Sequence, residues 1–415
     1  MKVHPPPSAD DIRASLGAVI DPELGSNIVE LGMVRDVTVD DAGNVDIGIV
    51  LTTARCPLRG QIKKDIDRRI DSLPGVTNTH ITWEEMTAEE RTRAMELARY
   101  NMSQRTEQSS LAPTTQVILV ASGKGGVGKS SVTVNLAVAL AQRGLKVGVL
   151  DADIWGFSVP RMIGVSGRLQ AESRDGENVM LPNVRSFAPG EVRVVSMGLL
   201  VEDESSALMW RGLMLSRGVQ HFLQDVDWGD DLDYLLVDMP PGTGDVQMSI
   251  AKLIPRAEVL VVTTPALAAQ KVAGRMVSMA RKNYLRVAGV IENMSAFVCD
   301  HGTSYELFGS GGGENLADEA GVPLLGKIPL APEVVTGGDT GVPAVLGDSA
   351  TAAAFRDVAE TIHLAAVPLV EMTTCTARTA IADLIRKKAR AAAAEREDAE
   401  RAGAEREGEA VATAT

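Results

Sequence analysis

Aromatic residues make up only 3% of this 415-residue chain, and cysteine occurs just three times. So few rings leave little for a stacking platform that would grip single-stranded nucleic acid. Basic residues are also scarce: 41 Lys and Arg stand against 55 Asp and Glu, for a net charge of −14. That balance excludes sequence-independent DNA or RNA binding as the main task, because such binding needs a basic face. It does not exclude a bound nucleotide, since backbone amides and one or two lysines can hold a triphosphate. The cysteines, Cys56, Cys299 and Cys375, are odd in number and far apart. They form no disulfide framework and suit a reducing cytoplasm. No uncharged apolar run reaches the length of a membrane span, and the longest candidate, VLVVTTPALAAQ, reads as a strand and a turn. The opening MKVHPPPSADD turns polar at once, so no signal-peptide core is expected there.

Four segments are present. Residues 1–97 read as a small α+β domain. DDIRASLGAVI has helical spacing and stops at Asp21-Pro22, MVRDVTVD and NVDIGIVLT alternate as strands around the turn DDAGN, and PLRGQIKKDIDRRIDSL is a second helix. VTNTHITW is a third strand and TAEERTRAMELARY a last helix. Residues 98–114 are polar and without period, which predicts a linker. From 115 to 366, strands apolar on both faces alternate with longer helices: QVILVAS, KVGVLDA, RVVSMGLL, DYLLVDM, EVLVVTT, VAGVIENM and PLLGKIPL. That pattern predicts an α/β fold, a mostly parallel buried sheet flanked by helices. The remainder, 367–415, is rich in Ala, Glu and Arg with almost no apolar stripe beyond Ile385, and reads as a charged tail, flexible or helical.

Gly123, Lys124, Gly125, Gly126, Val127, Gly128, Lys129 and Ser130 fit G-x-x-x-x-G-K-[ST], with a strand before and a helix after. Glycines in that setting let backbone N–H groups turn inward around a phosphate, with the helix N-terminus behind them. Lys129 is expected to reach the β- and γ-phosphates and Ser130 to coordinate Mg2+. Asp238 closes the strand DYLLVDM and is a second expected Mg2+ ligand, through a water. Asp151 and Asp153 sit at another strand end, on the carboxyl edge where ligands bind in such sheets. Each can orient an attacking water or help bind the metal. For Asp151, capping of the turn explains the residue equally well. Cys56, in ARCPL at a strand-to-helix junction between Arg55 and Arg59, is either a thiolate favoured by local positive charge or a small buried residue. GSGGG at 309–313 lacks the Lys and Ser/Thr of a phosphate loop and reads as a hinge or turn. WRG at 210–212 opens a helix with apolar spacing that suits core or dimer contact, and Cys375 and the histidines 4, 80, 221 and 363 take no role.

KGGVGKS, with Lys124 beside the loop, resembles the deviant Walker A motif of the MinD/ParA/nitrogenase-iron-protein ATPases. DADIWGFSVPRMIG, MWRG, DMPPGTGDVQ, IENMSAFVC and LFGSGGGENLA with GVPLLGKIPL resemble, within that group, the Mrp/ApbC type of iron–sulfur cluster carrier. DPEL, ELGMV and LTTARCPL in the N-terminal segment resemble the PaaD/SufT-like domain linked to metal–sulfur cluster assembly. The resemblance implies a P-loop NTPase working as a homodimer on ATP and Mg2+, with Lys124 reaching the other subunit's nucleotide. It places Asp153 in the first switch and Asp238 in the second, and sets Asn293 against the adenine. It further implies an iron–sulfur cluster as cargo, with apo iron–sulfur proteins and cluster assembly proteins as partners; the charge balance speaks against nucleic acid and the acidic tail against a membrane.

One departure stands out. The family carries C-x-x-C after the ENMS strand, so that two subunits offer four thiolates to a bridging cluster. Here Cys299 holds the first position and Gly302 the second. Asp300 or His301 completes the set, Cys56 contributes, or the site is weakened. Two other functions compete: a MinD/ParA-like positioning ATPase without a cluster, and an ATP-driven reductase. The first is disfavoured by the acidic stretch after TAIADLIRKKAR, which an anionic membrane repels. The second is disfavoured by the shortage of cysteine.

Overall fold

The computed structural model describes residues 5–21, 24–53, 58–108, 110–112, 114–153, 156–174, 177–200, 212–242, 244–299 and 301–369. Cys56, Cys375, Trp210, Arg211, Asp300 and nearly all of the C-terminal tail lie outside them. Among the described residues, no helix is long and apolar enough to cross a membrane.

The N-terminal part runs α1 (Ala9–Leu16), β1 (Val34–Val39), β2 (Asn44–Leu51), α2 (Arg59–Ile70), β3 (Asn78–Glu85) and α3 (Ala88–Gln108). Ser8 starts α1 with a reciprocal cap: its hydroxyl accepts from the Asp11 N–H, and the Asp11 carboxylate accepts from the Ser8 N–H. β2 is central, antiparallel to β1 and parallel to β3. The period-2 residues Ile47 and Ile49 and the helix-period residues Ile12, Leu16, Ile62, Ile66 and Ile70 are all buried. The expected linker is helical as far as Gln108: α3 continues through ARYNMSQRTEQ. That stretch has no apolar stripe to signal a helix, but Ala, Arg, Met, Gln and Glu all favour one by propensity.

The larger part begins with β4 (Gln116–Ser122), α4 (Lys129–Ala141), β5 (Lys146–Asp151) and α5 (Val159–Ile163). β6 (Gln170–Arg174), β7 (Glu177–Leu181), β8 (Asn183–Phe187) and β9 (Gly190–Ser196) follow. Next come α6 (Gly212–Gln224), β10 (Tyr234–Asp238), α7 (Asp245–Leu253), β11 (Glu258–Thr263), α8 (Leu267–Lys282) and β12 (Arg286–Val298). β13 (Ser304–Tyr305), α9 (Gly312–Ala320), β14 (Leu324–Leu330), α10 (Pro332–Thr340) and α11 (Ala350–Thr361) follow, and a π-helical turn at Ile362–Ala366 ends the described order. These strands, apart from the separate β6–β7 hairpin, form a nine-stranded sheet: β12, with β14 and β13 beside it, then β11, β4, β10, β5, β9 and β8. All pairings are parallel except those of β13 and β8. Helices cover both faces: Phe222, Ile250, Met276 and Leu316 on one, Leu136, Ile163 and Phe355 on the other.

The expected α/β architecture is thus present, and all seven expected strands form. RVVSMGLL gives way at Met197 to a single 3-10 turn, and the five-residue strands β6 to β8 are too short to carry a readable apolar period. GSGGG is more than a hinge: Gly311, at φ +73°, caps α9, and Gly312 and Gly313 are its first residues. The N-terminal part meets the sheet at the amino ends of its strands, where the Arg286 Nε–H, at the start of β12, donates to the Arg68 carbonyl at 3.2 Å. The carboxyl edge is left for the loops.

Candidate nucleotide site and thiol hairpin

β4 delivers the chain to the carboxyl edge, and α4 carries it away; residues 123–128 turn between them. Gly128 is left-handed at φ +78°, and a Cβ there would fall 2.2 Å from Asn293 Nδ2. No other residue fits, on conformational and steric grounds together. No side chain caps α4, so its first-turn amides stay available to an anion.

Asp238, at the end of β10, is wholly buried and gathers the polar groups of α4. Lys129 Nζ lies 2.7 Å from its Oδ2. The Ser130 hydroxyl donates to the same oxygen at 2.6 Å, and the Thr133 hydroxyl to Oδ1 at 2.7 Å. The expected Lys129, Ser130 and Asp238 are therefore brought together. Thr133 was not legible, because a threonine inside a helix signals nothing by itself. The Asn293 Nδ2–H donates to the Val127 carbonyl at 2.8 Å, so this side chain buttresses the loop from β12. Lys124, Gly125 and Gly126 are exposed. Gly123 and Val127 are buried.

Asp151, paired in register with Asp238 on the adjacent β5, accepts from the backbone N–H groups of Asp153, Ser158 and Val159 and from the Ser196 hydroxyl. These bonds match its turn-capping reading. Burial, reinforced by the Asp238 charge and opposed by Lys129, pushes its carboxyl up to about 7. Asp153 is half-buried in the loop leaving β5. The loop after Asp238 is pinned by Gln247, whose amide donates to the Pro240 and Pro241 carbonyls at 3.2 and 2.8 Å. A second residue missed in the sequence, Glu292, is buried and accepts from the Gly313 N–H at 2.6 Å, fastening α9 to β12.

β12 bends at Met294, whose φ of +56° is strained for a side chain of its kind, and the pairing register shifts beyond Asn293. Its far end reaches a hairpin. The Cys299 N–H donates to the Thr303 carbonyl and the Gly302 N–H to the Cys299 carbonyl, with Gly302 at φ +78°. This is a tight turn closed by a left-handed residue. A cysteine at 302 would find open space but a backbone that opposes it, which gives a local reason for glycine there. Cys299 is partly exposed, and N–H groups of His301 and Thr303 near its sulfur hold its thiol below the ordinary range. His301 is exposed. Among the described residues, no group of three or more His, Cys, Asp or Glu is placed to hold a metal ion.

A family model described as NUBPL iron-transfer P-loop NTPase matches residues 113–363, and one described as iron-sulfur cluster assembly protein matches residues 9–83. A relative named iron-sulfur cluster carrier protein, from Mycobacterium leprae, is 47% identical over 81% of this chain and 88% of its own. Relatives of the same name from Synechocystis and Deinococcus radiodurans are 40% and 41% identical over 86% and 85% of this chain, and 97% and 94% of their own. Among solved structures, a nucleotide-binding protein in complex with ADP from Archaeoglobus fulgidus is 31% identical, with a TM-score of 0.49, over 60% of this chain and 94% of that one. By the family model over residues 113–363 and the relatives named iron-sulfur cluster carrier protein, the chain belongs to the family of iron–sulfur cluster carrier P-loop NTPases.

Proposed function

We propose that this protein is an ATP-hydrolysing carrier that binds an iron–sulfur cluster and passes it to apo-proteins. One observation carries the ATPase half: a phosphate loop and helix start converge with Lys129 and Ser130 on the buried Asp238. The α4 amides and Lys129 hold the phosphates, and Asn293 keeps the loop in shape. Ser130 and Asp238 are hard oxygen donors side by side and fit Mg2+. When bound, that ion neutralises the β- and γ-phosphate oxygens. Asp153 orients the attacking water. Lys124, exposed on the loop, completes the site of a second copy in a homodimer.

The cluster is cargo, held at the hairpin where Cys299 follows β12. In a dimer this segment supplies two thiolates, one from each chain, and so a weaker hold than four would give. A carrier must release what it holds, so weak ligation is compatible with transfer. Targets are apo iron–sulfur proteins, with cluster assembly proteins as donors. The family matches disfavour a positioning ATPase.

Anaerobic reconstitution with iron and sulfide tests the reading. Wild type should develop visible charge-transfer absorption, Cys299→Ala should lose it, and Cys56→Ala separates any contribution of the N-terminal part. Equal iron in wild type and Cys299→Ala would remove the hairpin from the account.

A further inference from the structure

The joint between the N-terminal part and the sheet is built from charge. Arg68 and Arg69 close α2, Glu258 opens β11 and Arg286 opens β12. Glu258 is 1% exposed and lies 3.1 Å from Arg68 Nη2 and 3.8 Å from Arg69 Nη2, while also pairing with Arg286. Asp65 pairs with Arg68 at 2.6 Å. Three guanidinium groups thus face two carboxylates, all at least 85% buried. Guanidinium does not shed its proton in proteins, so the surplus positive charge cannot be removed by titration.

The surplus is matched by unused donors. Arg69 Nε and Nη1 and Arg68 Nε are buried without a hydrogen-bond partner. A cavity of about 30 Å3 opens beside them, lined by Asp65, Arg68, Arg69, Thr115 and Arg256. Arg256 forms part of the wall and donates to the Ala112 carbonyl at 3.0 Å. Such a volume has room for about two waters, or for one small ion with a companion water. Water would satisfy the N–H groups but leave the charge uncompensated, and an unbalanced buried charge is costly.

We propose that this cavity binds one small inorganic monovalent anion, of halide size, held by Arg69 and Arg68 at the joint between the N-terminal part and the sheet. The anion balances the third arginine and ties α2 to the starts of β11 and β12. It lies at the strands' amino edge, away from the phosphate loop, so the proposal is independent of the carrier reading.

The test uses the full chain at constant ionic strength, with chloride or bromide exchanged for gluconate, which is too large for the cavity. Melting temperature should rise saturably with the halide, by about 2 °C at ten times its dissociation constant. Arg69→Gln should abolish that dependence. Wild-type crystals grown in bromide should show anomalous density within hydrogen-bond distance of the Arg69 guanidinium. Equal melting in halide and gluconate, or ordered water without anomalous signal in the cavity, would overturn the proposal.

Discussion

At the scale of single residues, Asp238 and Asp151 divide the work of two buried carboxylates on adjacent strands. Asp238 takes Lys129, Ser130 and Thr133; Asp151 is left with backbone donors and Ser196. Asp151 therefore holds its proton up to about 7 in the folded chain, well above an unfolded carboxyl. Its contribution to stability is full below pH 4 and is lost as pH climbs toward 7, because the folded state binds the extra proton. Without nucleotide or metal, melting temperature measured from pH 5 to 8 should fall more steeply in wild type than in Asp151→Asn; parallel curves would count against the assignment. Thr133→Val leaves Asp238 Oδ1 one donor short and should destabilise the fold by about 1–3 kcal/mol in denaturant titrations. Gly302→Cys restores the second thiol at the cost of a strained left-handed backbone. It should lower stability by about 1 kcal/mol. It should also raise the iron retained per dimer after reconstitution, and unchanged iron would place cluster ligation elsewhere.

Among the elements, β12 has the widest reach. It starts at the charged joint with Arg286, buttresses the phosphate loop with Asn293, fastens α9 through Glu292 and ends at Val298, next to Cys299. The sequence showed its apolar first half as VAGVIENM but not its length, because beyond Asn293 the residues alternate weakly and the backbone bends at Met294. The same limit hid β6 to β8, which are only five residues each. The phosphate loop, in contrast, was fully legible. Its glycines are required by a left-handed cap and a close neighbour, a demand that shows as composition before any fold is known. What could not be read was its support: Thr133, Gln247 and the Asn293 buttress are tertiary contacts between distant segments. Asn293→Ala should loosen the loop and weaken nucleotide affinity about fivefold to tenfold, the worth of one hydrogen bond. Unchanged affinity in a calorimetric titration would reduce that contact to packing.

Across the whole molecule, chemistry and attachment occupy opposite edges of one sheet. The carboxyl edge carries the phosphate loop, and the amino edge carries the joint with the N-terminal part. Lys124 is exposed on the loop, and in the proposed homodimer it serves the second copy's site. Lys124→Ala should therefore keep nucleotide affinity while losing turnover about 100-fold or more, as loss of a charge stabilising the transferring phosphoryl group does. Equal losses of affinity and turnover would place Lys124 in its own chain's site. Beneath all of this lies the claim that the loop between β4 and α4 grips a triphosphate. Its most direct test is titration of the purified chain with Mg-ATP: wild type should bind and Lys129→Ala should not. Binding of equal strength in both, or none in wild type, would contradict the account.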